Sequence, residues 1–311
     1  LFRSEVGKAF AMEAEARRRG IDQLPEVQLR IRNYATQLLA DLGAAVILVE
    51  PGGGSPLRQR GPFGPEPDGG AGGALFRWLS GGKRSVVPGP GAAAAQLADL
   101  VWAADVVLVD GTSPWQPLLP ARPPHVVEVD LSPFGRTGPY ASWRGSDLAT
   151  WALGGYLYFT GDPEREPLAV PGSQAELHGG AHAAFAALAA LWERRRQGGP
   201  GQRIEVSDLE AVLTAHAWLV TSWAACGTAL RRVPCDLVRT ADGWVYVMRI
   251  APNDELFVLI DRPDLGAENL TVDVPTWFAN LDRINAAVAE WAVDKTDRKS
   301  TRLNSSHGYR S

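Results

Sequence analysis

The stretch NYATQLLADLGAAVILVE (33–50) sets the expectation for the fold. Its apolar residues first recur at the spacing of an amphipathic helix and then, after Gly43, form a short β-rich run that ends at Glu50. Glycine commonly ends a helix because it enters the left-handed conformation at little cost. The stretch is therefore predicted to be a helix, a glycine stop and a buried strand.

The same order returns further along the chain. AAAAQLADLVWAADVVLVD (92–110) again reads as a helix followed by a strand, and PHVVEVDLS (124–132) reads as another short buried strand. Strands that are apolar throughout and alternate with helices are typical of a parallel sheet with both faces covered. The first part of the chain is therefore predicted to be α/β and doubly wound.

From Asp147 onwards, the sequence patterns are mainly those of helices. A long helix over 176–196 would span about 30 Å. The remaining patterns predict a short strand and a helix within 201–223, a hairpin within 235–250 around Asp242-Gly243, and a final amphipathic helix over 276–293.

Composition bounds the class of protein. The 311 residues are 45% hydrophobic and 21% charged, as is ordinary for a globular protein, and no stretch approaches the ~18 apolar residues of a membrane span. Cys226 and Cys235 have no metal-type spacing and are too few for a disulfide framework. We therefore expect a protein of the reducing cytoplasm, not bound to a membrane.

Both ends of the chain differ from its middle in their residue patterns. DRKSTRLNSSH (297–307) is the in-frame translation of a DNA string that looks like a sequencing adapter, so 297–311 is expected to be an artefact tail. Without that tail the chain has 27 basic against 34 acidic residues. An acidic body argues against nucleic-acid binding. The segment 1–29 is unrelated in texture to the middle of the chain, and we expect a gene fragment cut at both ends.

A single acid opens the helix-forming run SQAELHGGAHAAFAALAALWERRR (173–196). Ser173 and Glu176 have the spacing of a capping box, and spacing alone favours that structural role. The same position also suits catalysis, because the positive end of a helix keeps a carboxylate ionised and an ionised carboxylate can attack an acyl carbonyl. Gly179 and Gly180 lack side chains and would let a substrate or another backbone approach closely.

Other candidate sites are weaker. His178 and His182 are spaced to share a metal but have no third ligand, so ordinary helix-face histidines are favoured and no metal is expected. EPGGGSPLRQ (50–59), with Arg58, and SGGKRSVV (80–87), with Lys83 and Arg84, combine glycine with cations that suit phosphate groups. Neither matches a nucleotide-binding fingerprint, and a solvated loop is the default interpretation of each.

Six segments, in order, resemble the class III CoA-transferase family, which includes carnitine CoA-transferase, formyl-CoA transferase and bile-acid-inducible protein F. They are YATQLLADLGAAVILVEPGGGSPLR (34–58), SGGKRSVV (80–87), VVEVDLSPFGRTGPYASW (126–143), SDLATWALGGYLYFTGDPEREP (146–167), AELHGGAHAAFAALAALWERRRQGGPGQRIEVSDLEA (175–211) and TADGWVYV (240–247).

The resemblance implies a fold and an assembly. It implies a Rossmann-like large domain, which we expect over 30–222, and the start of a smaller domain over 223–296. It also implies an interlocked homodimer. Members of the family move coenzyme A between carboxylic acids, so an acyl-CoA and a carboxylic acid acceptor would be the substrates.

The resemblance also assigns roles to residues. Glu176 stands where the family has an aspartate that attacks the acyl-CoA, which implies a glutamyl intermediate in place of an aspartyl one. By similarity, Arg58, Lys83 and Arg84 would meet the phosphates of coenzyme A. Gly138 and Tyr140 of the GPY segment would lie near the thioester.

Departures from the family pattern leave alternatives open. Glutamate is one methylene longer than aspartate, and covalent attack requires near-contact geometry. A non-catalytic CoA-ester-binding partner, or the inactive half of a tandem CoA-transferase, is the alternative. A 2-methylacyl-CoA racemase ranks below both, because Ser146 stands where that branch has a catalytic histidine and serine supplies neither acid nor base.

Overall fold

The computed structural model describes residues 30–59, 61, 72–111, 113–143, 145–161, 164–227, 237–246 and 254–296. The expectations for 1–29 and 297–311 lie outside the described residues. The chain divides into two compact units. The first comprises Leu1–Tyr158 and Ala169–Leu230, and the second comprises Phe159–Leu168 and Arg231–Ser311.

The first unit alternates helices and strands. Its elements are α1 (Arg30–Asp41), β1 (Ile47–Val49), α2 (Ala74–Ser80), β2 (Arg84–Val86), α3 (Ala93–Ala103), β3 (Val106–Val109), β4 (Val127–Ser132), α4 (Asp147–Leu153), α5 (Gln174–Gln197), β5 (Arg203–Ser207), α6 (Asp208–Ala215) and α7 (Ala217–Cys226). Short 3₁₀ turns lie at Pro56–Gln59, Gln116–Leu118 and Tyr156–Tyr158.

All described strands of the first unit pair in parallel. β1 pairs with β2, with Ile47 opposite Arg84. β4 lies between β3 and β5, with Val129 opposite Leu108 on one side and Ile204 on the other. The predicted α/β fold with a parallel sheet flanked by helices is confirmed. The described strands of the first unit form two ladders, one of two strands and one of three.

The core of the first unit lies between the three-stranded sheet and two helices. Alternate residues of β4 (Val127, Val129 and Leu131) are buried against α1 and α5. The contributions of α5 are alanines at 183, 184, 187 and 190, whose small side chains let this helix lie close to the sheet and to α1. The chain order helix, Gly43, strand is confirmed, and Gly43 has a φ of 95°.

The second unit contains a hairpin and four helices among its described residues. They are β6 (Leu237–Arg239), β7 (Trp244–Tyr246), α8 (Glu255–Leu259), α9 (Pro263–Ala267), α10 (Val274–Ala279) and α11 (Leu281–Ala292). The predicted hairpin around Asp242-Gly243 is confirmed, with Arg239 opposite Trp244.

The single helix predicted over 276–293 is wrong in its extent. The chain instead forms α10 and α11, separated at Asn280. The Asn280 side chain donates to the Thr276 carbonyl at 2.8 Å. A side chain that bonds the backbone in this way competes with the regular helix. α10 begins earlier than predicted because Asp273 caps it, accepting from the Thr276 amide at 2.7 Å.

Within the part of the chain that the structure describes, no helix combines the length and apolar character needed to cross a membrane.

Candidate active site

The start of α5 is held by a residue from another helix. Ser173 lies in the left-handed region, with φ 57° and ψ 48°, and its side chain makes no capping hydrogen bond. Asp147, the first residue of α4, accepts from the backbone amides of Ala175 at 2.8 Å and Glu176 at 3.4 Å. The predicted cap by Ser173 is therefore wrong, because Asp147 supplies the oxygen and the backbone at Ser173 does not have capping geometry.

Glu176 lies in a buried group of acids. Its exposed fraction is 4%, and that of Asp208, the first residue of α6, is 2%. Burial raises the pKa of the Asp208 carboxyl well above its usual range, and the nearby carboxylates of Glu176 and Asp147 raise it further. Burial also raises the pKa of Asp147, although the hydrogen bonds from the two backbone amides act to lower it. The first turn of α5 therefore lies beside two other carboxyl groups.

Gly179 makes room for Asp208. A methyl group at Gly179 would overlap Asp208 Oδ1 and lie 3.0 Å from its Cγ. The sequence suggested that the missing side chain leaves space for a substrate or another backbone. At Gly179 this expectation is wrong, because a carboxyl group from α6 occupies that space.

The two histidines of α5 have separate partners. His178 Nδ1 donates to the Gln174 carbonyl at 2.7 Å, and His182 Nδ1 donates to the His178 carbonyl at 2.9 Å. The His182 Nε2 atom contacts Thr214 Oγ1 at 3.1 Å. Across the described ranges, no three His, Cys, Asp or Glu side chains are placed to share a metal ion. These contacts are those of ordinary helix-face histidines.

A third histidine, His216, lies at the break between α6 and α7 and is 2% exposed. Its ring centroid lies 3.4 Å from that of Tyr156 and 6.5 Å from that of Trp151. Burial, followed by the charge of His178, lowers the pKa of His216 to about 4. The imidazole is therefore neutral at pH 7, and it interrupts the helix predicted within 201–223.

Glu50 organises the loop that follows β1. It accepts from the Ser55 amide at 2.7 Å, from Arg58 Nε at 2.8 Å and Nη2 at 2.7 Å, and from the Ser85 hydroxyl. Arg58 also stacks on the Phe76 ring, 4.2 Å from its centroid. The Arg58 hydrogen bond is the main reason why the pKa of Glu50 falls to about 2. The loop is therefore fixed by a charged, largely buried pair.

Arg84 begins β2, and Lys83 directly precedes it. Lys83 Nζ donates to the Asn33 carbonyl at 2.8 Å and to Thr36 Oγ1 at 2.7 Å, and burial lowers its pKa to about 8. Arg84 is exposed. Because Ser85 and Arg58 bond the same Glu50 carboxylate, the fold gathers the three predicted phosphate-binding cations around β1 and β2.

Gly138 and Tyr140 lie in the loop after β4. Tyr140 is 38% exposed and packs beside Trp143, with ring centroids 4.7 Å apart, and Phe134, at 6.5 Å. Ser132 and Ser207 are paired at the carboxyl ends of β4 and β5, so this loop and Asp208 leave the sheet at the same end. Ligands of parallel α/β sheets bind at that end.

Sequence reasoning did not assign a role to Asp147, Asp208 or His216. A signal was present for Asp208, because an acid directly after a buried parallel strand lies at the ligand-binding end of the sheet. Ser146 and Ser207 cap the helices that these two acids begin, accepting from Ala149 N at 3.1 Å and Glu210 N at 3.4 Å. The capping pattern of these two helices gave no indication that both acids lie near Glu176.

The Glu50 pair predicts an acid-dependent loss of stability. A pKa lowered from 4.5 to about 2 stabilises the fold fully above pH 4.5, and this contribution disappears as the pH falls towards 2. In urea unfolding, Glu50→Gln should cost on the order of 2–3 kcal/mol at pH 7 and flatten that acid dependence. Asp105→Asn, at an ion pair whose acid is 74% exposed, is the matched control and should change little. If the free energy of unfolding of Glu50→Gln fell at low pH as steeply as that of the unsubstituted chain, the stabilising role of the Glu50 pair would be contradicted.

The chain resembles known proteins along most of its length. The model of CoA-transferase family III matches residues 28–309. The chain is 31% identical over 283 residues to succinyl-CoA:mesaconate CoA-transferase of Haloarcula marismortui, covering 84% of this chain and 71% of that protein. It is 32% identical over 234 residues to succinate–glutarate CoA-transferase of Agrobacterium fabrum, covering 69% and 58%.

Solved structures of related proteins superimpose on most of this chain. A CAIB/BAIF family protein from Brucella suis superimposes with a TM-score of 0.72 at 25% identity, over 88% of this chain and 77% of that one. A hypothetical protein from Mycobacterium tuberculosis gives 0.71 at 28% identity, over 89% and 77%. Together with the parallel sheet, the long helix α5 and the six ordered sequence segments, these matches show that the chain belongs to CoA-transferase family III.

Proposed function

We propose that this chain transfers coenzyme A between carboxylic acids through a covalent intermediate on Glu176. The observation that supports this most directly is the buried Glu176 carboxyl in the first turn of the 24-residue helix α5. Asp147 bonds two leading amides of that helix, so the start of α5 is held by an acid other than Glu176. The helix dipole favours a charged carboxylate at this end, as a nucleophile requires.

The proposed reaction has balanced steps. The Glu176 carboxylate attacks the acyl-CoA carbonyl carbon and expels the CoA thiolate, which gives a mixed anhydride. The thiolate then attacks the Glu176 carbonyl carbon, releases the donor acid as its carboxylate and leaves a glutamyl-CoA thioester. The acceptor carboxylate attacks that thioester and expels the thiolate. The thiolate attacks the acceptor carbonyl of the second anhydride, which forms the new acyl-CoA and restores Glu176.

The remaining predicted residues have supporting roles in this proposal. Arg58, Lys83 and Arg84 would bind the phosphates of coenzyme A, and a fixed Arg58 costs less ordering when the phosphate arrives. At Gly138 a side chain would meet nothing within 4 Å, so an approaching thioester has room there. The names of two relatives include succinyl-CoA or succinate, which makes succinyl-CoA the first donor to test. The proposal also includes that the protein forms a homodimer and lies in the cytoplasm.

Trapping the intermediate tests the proposal. The chain is incubated with succinyl-CoA and no acceptor, treated with hydroxylamine, digested and analysed by mass spectrometry. Hydroxylamine attacks the glutamyl thioester and releases coenzyme A, so we expect a hydroxamate on the peptide that contains Glu176 and on no other acidic peptide. Saturable binding of succinyl-CoA with no modified peptide would contradict the proposal and favour the non-catalytic CoA-ester-binding partner.

A further inference from the structure

We infer that Asp208 is a positioning residue that holds a proton beside Glu176, so that Asp208 adds no further negative charge where Glu176 meets the reactants. This inference rests on the proposed function, because it deepens the account of the same site. Asp208 itself takes no part in the covalent steps. The basis of the inference is the packing of α6 against the first turns of α5.

The Asp208 carboxyl is enclosed by protein. It is 2% exposed and lies over the backbone of Gly179, one turn after Glu176 on the same helix. Within the described residues, its Oδ1 atom has no hydrogen-bond partner. Asp208 is fixed there from both sides, because Ser207 caps α6 and the Leu209 amide donates to the Pro133 carbonyl at 3.0 Å. A short side chain on this backbone has little freedom to leave the site.

Among the described residues, the charged groups that raise the pKa of Asp208 are both acidic. They are Glu176 on α5 and Asp147 on α4. A buried carboxylate is tolerated when a cation or several donors compensate it, and otherwise the group takes up a proton. When like charges share a site, the proton stays on one member of the group. Two backbone amides donate to Asp147 and stabilise its charged form. The positive end of α5 stabilises the charged form of Glu176. Asp208 is therefore the member that binds the proton.

A neutral Asp208 matters because the groups that attack or leave at Glu176 in the proposed steps are anions. They are the thiolate of coenzyme A, the released donor carboxylate and the acceptor carboxylate. A charge on Asp208 would add to that of Glu176 and repel each of these anions in a poorly screened, buried site. Transfer is therefore expected to slow as the pH rises through the titration of Asp208, because the neutral form is lost.

The pH profile of transfer tests the inference. Succinyl-CoA and glutarate are used as the probe pair, and kcat and KM are measured from pH 6 to 10 for the unsubstituted chain, Asp208→Asn and Asp99→Asn. Asp208→Asn keeps the shape and the neutral charge, so we expect its kcat at pH 7 to stay within about threefold and its alkaline fall to disappear. Asp99→Asn changes an exposed acid on α3 and should keep the profile unchanged.

A second measurement does not depend on activity. The infrared spectrum of the folded chain at pH 7 should contain the carbonyl band of a buried protonated carboxyl group, and Asp208→Asn should lack it. The inference is overturned if the band is present in both proteins or in neither, or if Asp208→Asn keeps the alkaline fall. Failure to trap coenzyme A on Glu176 would overturn the proposed function instead, and the infrared band would still be seen.

Discussion

Glu176→Gln is expected to lower kcat for CoA transfer by at least about a thousandfold, with little change in the binding of succinyl-CoA. The amide has the size of the carboxylate but is neutral and is not a nucleophile, so the first anhydride cannot form. Binding should survive because the proposed phosphate contacts are made by Arg58, Lys83 and Arg84 at the β1–β2 ladder and not by residue 176. Calorimetric binding and steady-state transfer measured on the same preparation separate the two effects.

Two further variants sharpen this prediction. Glu176→Asp keeps the charge but withdraws it by one methylene, and we expect kcat to fall on the order of a hundredfold, since a misplacement of about 1 Å has that effect. Glu193→Gln makes the same amide change at an exposed position of α5 and should leave transfer unchanged. Full activity in Glu176→Gln would rule out nucleophilic catalysis by this residue.

The local elements were predictable because their signals are local. The helix, glycine stop and strand of 33–50 follow from apolar spacing and a single glycine, and the structure has α1, a positive φ at Gly43 and β1. The hairpin follows from Asp242-Gly243 in the same way. Neither signal requires knowledge of distant contacts.

The surroundings of Glu176 were not predictable, because they depend on residues far apart in the chain. The amides at the start of α5 bind Asp147, which lies 28 residues before Ala175, and no local pattern ranks that oxygen above the one on Ser173. Asp208 begins a third helix directly after β5, so its place near Glu176 depends on the pairing of β5 with β4. The spacing of Ser173 and Glu176 favoured a capping box. In the structure the Ser173 side chain makes no capping hydrogen bond, and Asp147 accepts from the Ala175 amide instead.

Gly179→Ala is expected to have the second large effect, this time on stability. In a helix interior this change normally stabilises by about 1 kcal/mol, because glycine is the less favourable residue there. Here the new methyl group would overlap Asp208 Oδ1, and the enclosed carboxyl has to be displaced. We expect urea unfolding to show a loss of about 1–3 kcal/mol, the cost typical of overpacking.

A double-mutant cycle assigns this loss to one contact. Asp208→Ala removes the overlapping carboxyl, so in that background Gly179→Ala should regain its ordinary stabilising sign, with a coupling energy of about 2–4 kcal/mol between the two positions. Gly199→Ala, where a side chain would meet nothing within 4 Å, is the matched control and should stay within about 0.5 kcal/mol. If Gly179→Ala destabilised equally in both backgrounds, the cost would come from the backbone of α5, and Gly179 would have no part in placing Asp208 beside Glu176.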